Sequence, residues 1–203
     1  MTRRDFIFTA TAATAFRAGT AAAPLTVPVH RLMDKRAHCT PQQLQRFSSI
    51  LWPEAVREFQ QGRIQLQVTE AIGEIRRLPS GRPLFIGLLR GVLNVVITDH
   101  VPMDYGSVAG VTTMWEGYHL CVIALSDAHG NQVPYFSVNT CVHELLHALL
   151  QDIFVNRAKW YQSAEREFRT DWYATQLWLF HDGSAIRKSA AAYLARLRTA
   201  PVF

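Results

Sequence analysis

His143, Glu144 and His147 stand in the stretch TCVHELLHALL, residues 140–150, where nearly every other position is apolar. The pattern is H-E-x-x-H. In an α-helix four residues turn through about 400°, so both imidazoles leave nearly the same face, one turn apart. Two neutral ring nitrogens in that position reach one Zn²⁺, and Glu144 flanks them closely enough to take a proton from a metal-bound water. The expected metal ligands are therefore His143 and His147, and the expected general base is Glu144. Val142, Leu145, Leu146, Leu149 and Leu150 surround the trio, which predicts a largely buried helix. Buried polar groups are costly unless satisfied, and metal ligation would satisfy both imidazoles.

A catalytic zinc usually takes three protein ligands. No histidine lies between His147 and His181, and the acidic candidates are Asp152, Glu165, Glu167 and Asp171. Asp152 is too far along the same helix to converge on the metal. SAEREFRTDWYATQLWL reads as a second helix returning beside the first, and on it Glu167 and Asp171 are four apart and share a face. This set of residues resembles the Glu-liganded zinc metallopeptidases, the gluzincins. The resemblance implies Glu167 as third ligand and Asp171 as the carboxylate that supports a liganding histidine. It also implies an α+β, zincin-like domain with a small mixed sheet, an active-site helix and a second ligand-bearing helix.

The chemistry expected on that basis is Zn²⁺-dependent hydrolysis of peptide bonds in an exported protein or peptide substrate. A further donor normally steadies the oxyanion. Tyr161, Tyr173, His119 and His181 can each donate, and Tyr161 is favoured for its place between the two ligand helices. GSVAGVTT is the candidate edge strand for pairing an extended substrate, its glycines admitting close approach of another backbone, with HLCVIALS as its inner neighbour. Two other readings stand beside this one: a non-catalytic exported zinc-binding or assembly protein, and an amidase acting on cell-wall peptides.

The ends and composition constrain the setting. MTRRDFIFTATAATAFRAGTAAAP places two arginines before a weakly apolar run and a stretch of alanines. It resembles a twin-arginine export signal, which implies passage through the twin-arginine machinery and a periplasmic or secreted bacterial protein. Residues 1–23 are read as the signal and 24–203 as one domain, with no stable membrane span after processing. The whole chain of 203 residues carries a formal charge of +5. Loss of Arg3, Arg4, Arg17 and Asp5 with the signal leaves about +3. The remaining basic residues are scattered, so no nucleic-acid partner is expected. Three cysteines, Cys39, Cys121 and Cys141, are too few for a disulfide scaffold, and their spacing names no pair.

The elements follow from local pattern. Residues 24–39 read as a connector. Thr40 and Pro41 open a helix that Pro53 should kink or split into two shorter helices and Gly62 should stop. RIQLQVT alternates like a half-buried strand, and the segment up to LPSGRP reads as a short helix or irregular connector. LNVVIT, GVTTMW and YHLCVIALS read as strands. Helices are predicted over residues 139–153 and 163–180. A last one, SAIRKSAAAYLARLRT, carries Ile186, Ala190, Tyr193, Leu194 and Leu197 on one stripe.

Overall fold

The computed structural model describes residues 23–103, 108–126, 139–149 and 184–199. Residues 1–22 of the export signal read over 1–23 lie outside the described residues, and so do the second ligand-bearing helix, Tyr161, Glu167 and Asp171. Among the described residues no helix is long and apolar enough to cross a membrane.

Six strands form one sheet: β1 (Leu25–Asp34), β2 (Ile64–Arg77), β3 (Pro83–Ile86), β4 (Leu93–Thr98), β5 (Gly110–Trp115) and β6 (Tyr118–Ala124). Their spatial order is β3-β2-β1-β4-β6-β5. The four central strands are parallel, while β3 and β5 run antiparallel to their neighbours at the two edges. The helices are α1 (Pro41–Arg46), α2 (Trp52–Gln61), α3 (Thr140–Leu149) and α4 (Ser184–Thr199).

The sheet departs from the small one expected in that its centre is the segment read as a connector. β1 hides because it is paired on both sides and packed on both faces, so it lacks the alternation of a half-buried strand. Pro28 is tolerated within it because β1 pairs with β4 only from Val29 onward, which leaves that side open at the proline. β2 likewise runs on through the presumed connector to Arg77, where it meets β3 in a hairpin. The helical stretch is split into two shorter helices, α1 and α2, as its proline suggests, and Pro53 stands in the first turn of α2. A π-turn over Phe47–Leu51 joins α1 to α2 and takes up the irregularity just before the proline.

Apolar side chains divide between the two faces. Val27, Val29, Val95, Ile97, Cys121 and Ile123 meet Phe59 of α2, Leu145, Leu146 and Leu149 of α3, and Tyr193 and Leu197 of α4. On the opposite face Leu32, Val96, Leu120 and Val122 pack with Phe85, Val111 and Trp115. The sheet curls around this second cluster. The rings of Phe85 on β3 and Trp115 on β5 meet edge to face with centroids 5.5 Å apart, although their strands lie at opposite ends of the order. Arg82 reaches across the same gap to Glu116 at 3.0 Å.

One buried carboxylate ties β2 to the turn after β1. Glu74 is 8% exposed and accepts from Arg76 Nε at 2.7 Å, with Lys35 Nζ also at 2.7 Å. Hydrogen bonds from Arg76 and then Lys35 lower its pKa from the ordinary 4.5 to about 2. A depressed carboxylate stabilises the fold fully above the unfolded value and loses that contribution as the pH falls toward the folded one. Urea midpoints of the natural protein should therefore drop between pH 4.5 and 2, and Glu74→Gln should flatten part of that drop.

Candidate functional site: the polar face of α3 beneath strand β5

α3 starts from a fixed point. Asn139 caps it, accepting from the Cys141 amide at 2.8 Å through Oδ1 and from the His143 amide at 2.9 Å through its carbonyl. Its Nδ2 donates to the Leu51 carbonyl at 2.5 Å and to Glu54 at 3.2 Å, which anchors the cap to the start of α2. Leu145, Leu146 and Leu149 then hold the helix against the sheet, each fully enclosed.

The structure brings His143, Glu144 and His147 together as the helical spacing requires. The two imidazoles stand at 75° with centroids 4.6 Å apart, and their Nε2 atoms are 2.9 Å from each other. At that distance one ring donates and the other accepts. Glu144 is 4% exposed and lies under β5. Its Oε1 is 4.0 Å from His143 Nε2, while Oε2 lies 2.6 Å from Thr112 Oγ1. The same threonine oxygen is 2.9 Å from the Glu144 carbonyl, so a single hydroxyl is shared between the backbone oxygen and one carboxylate oxygen of the same residue.

Gly110 completes the contact. A Cβ at this position would lie 2.7 Å from Glu144 Cγ and Oε1 and 2.8 Å from Cδ. The carboxylate occupies the space that any other residue would fill. The glycines of this segment were expected to admit a second backbone, but at Gly110 the close neighbour is a side chain from α3. Register fixes the arrangement: Glu116 and Gly117, with φ of 49° and 79°, form the tight two-residue turn that sets β5 on β6.

These contacts overturn the metal reading. Two nitrogens bound to one tetrahedral zinc at about 2.1 Å stand about 3.4 Å apart, with the metal between them. Here the imidazole nitrogens bond to each other, and Glu144 is held by Thr112, so these three side chains are satisfied by protein groups. Among the described residues no group of three or more His, Cys, Asp or Glu side chains is placed to hold a metal ion. The Zn²⁺ site on His143 and His147, the gluzincin resemblance with its zincin-like fold, and zinc-dependent peptide hydrolysis with Glu144 as base are corrected accordingly. The same finding removes the zinc-binding and amidase alternatives. The spacing that suggested a metal reports only that three polar groups share a helix face.

Two further features escaped the sequence reading. Thr112 and Gly110 carry no motif, and their partner is more than 30 residues away. The contact between Tyr193 of α4 and His119 of β6, with ring centroids 5.1 Å apart, was likewise unforeseen. Burial first, and then Arg196, pushes the His119 pKa down. Cys121 and Cys141 are free thiols inside the core, and burial raises both. Cys39 is half-buried and pushed up to about 11, chiefly by burial, so none of the three is poised as a nucleophile.

No family model, no curated protein and no solved structure matches this chain. Geometry alone carries the functional reading.

Proposed function

We propose that the protein binds an extended polypeptide segment by adding it as a strand to the outer edge of β5. The observation that carries this reading is the direction of the β5 backbone. Ala109 faces Ala124, and the Ala124 amide donates to the Ala109 carbonyl at 2.9 Å. Antiparallel pairs alternate between residues that bond to one neighbour and residues that bond to the other. Val111, Thr113 and Trp115 therefore bond toward β6, and Gly110, Thr112 and Met114 present their amides and carbonyls to the outer edge. Among the described residues no strand pairs with that edge.

The sides of the edge differ in chemistry. Gly110 and Thr112 lie over Glu144, whereas Val111 and Trp115 pack into the apolar cluster on the other face. A strand seated beside β5 would carry alternate side chains to a polar side and an apolar one, the arrangement by which strand addition selects sequence while the backbone supplies affinity. Glu144 has a positioning role here, supporting the edge strand from below.

The proposal is tested with an array of eight-residue peptides that alternate apolar and polar side chains. Met114→Pro removes an outward amide and leaves the ladder to β6 intact, a placement proline tolerates at a sheet edge. Affinity should fall about tenfold or more, the worth of one lost hydrogen bond plus the obstruction. Thermal stability should change little. Thr113→Pro, which removes a ladder bond instead, should destabilise the fold. No peptide bound by the natural protein, or equal binding by Met114→Pro, would sink the reading.

A further inference from the structure

Tyr193 holds a hydroxyl that the fold does not use. The residue is 2% exposed in the seam between α4 and β6, and among the described residues its oxygen is buried without a hydrogen-bond partner. Phenylalanine would fill the same space without a desolvated hydroxyl, so packing alone gives no reason for the oxygen. The ring stands at 89° to that of His119, and the Arg196 guanidinium carbon is 5.9 Å from its centre. Among the described residues neither ring nitrogen of His119 has a hydrogen-bond partner. His119 and Arg196 are both partly exposed, whereas Tyr193 is not.

We propose that Tyr193 Oη, His119 and Arg196 form a binding site for one small oxyanion, a phosphate or a carboxylate, between β6 and α4. The chemistry of the three groups is uniform: a phenol, an imidazole and a guanidinium all donate to an anionic oxygen, and the guanidinium supplies charge. Burial raises the Tyr193 pKa, which keeps the phenol protonated and able to donate. The site is separate from the β5 edge and does not depend on peptide binding.

Thermal unfolding of the full chain tests it, with inorganic phosphate and acetate each compared against chloride at equal ionic strength. The natural protein should show a saturable rise in Tm with one of the two anions, and which one identifies the phosphate or the carboxylate as the source. Tyr193→Phe should be at least as stable as the natural protein in chloride and should lose most of the anion-dependent rise. His119→Gln, which keeps a donor amide, should retain part of it. Three results overturn the proposal: no rise beyond chloride for the natural protein, an equal rise for Tyr193→Phe, or a lower Tm for Tyr193→Phe in chloride, which would mean that the hydroxyl is already satisfied within the fold.

Discussion

Leu145→Ala is expected to destabilise the protein by about 2–5 kcal/mol, the range for truncating a fully buried leucine whose site cannot collapse. Leu145 is wholly enclosed and belongs to the cluster that joins α3 to the central strands. Its neighbours come from different elements, since β1, β4, β6 and α2 all contribute to the same cluster. A cavity here has walls on several sides that cannot all move inward together. The loss would fall directly under the polar trio, because residue 145 follows Glu144. Urea unfolding at neutral pH gives the magnitude. A loss below about 1 kcal/mol would mean that α3 packs more loosely than its burial indicates.

Gly110→Val is expected to cost about 1–3 kcal/mol, the usual range for forcing atoms into a filled core, and to disable the edge of β5. The first added carbon already lies within 2.7 Å of Glu144, well inside contact distance. Glu144 cannot simply swing away, because it is nearly fully buried and is bonded to Thr112. Either the carboxylate leaves its hydroxyl partner or β5 lifts from the helix. Both outcomes disturb the outward amides of Gly110 and Thr112, so peptide binding should fall together with stability. Gly110→Val measured beside Glu144→Ala separates the two contributions. Removing the carboxylate clears the space, so the valine should cost less in the double variant than in the single one. Equal costs in the two backgrounds would show that the collision is with something other than Glu144.

The parts of this molecule legible from sequence are those set by local periodicity. The four-residue interval between His143 and His147 dictates that the rings meet, and they do, at hydrogen-bonding distance. Ala190, Tyr193, Leu194 and Leu197 fall on the inward stripe of α4 because a period of 3.6 leaves them no other face. The strand pair at residues 110–124 shows in its β-branched runs. β1 was missed because a strand buried on both faces carries no alternation, and its histidine, arginine and proline resemble a turn. His30 in fact reaches Thr69 Oγ1 at 3.0 Å, satisfied by the next strand.

The chemistry of the site was harder to read because it depends on contacts between distant segments. H-E-x-x-H specifies which groups share a helix face, but not what satisfies them. The answer came from Thr112 and from the histidines themselves, and neither is visible in the spacing. Gly110 was read as an opening for a second backbone because a glycine in a strand has that use; register instead set it over a side chain from α3. The orphan hydroxyl of Tyr193 was hidden in the same way, since an apolar stripe on a helix reads a tyrosine as core.

The most direct test of strand addition at β5 is amide hydrogen exchange, followed residue by residue, with and without a peptide that binds. Gly110, Thr112 and Met114 are expected to exchange readily in the free protein and to become protected together when the peptide is bound. Val111, Thr113 and Trp115 should be protected in both states, because their amides already bond to β6. Protection that appears elsewhere while the amides of Gly110, Thr112 and Met114 stay open would contradict the account and place the peptide on another surface.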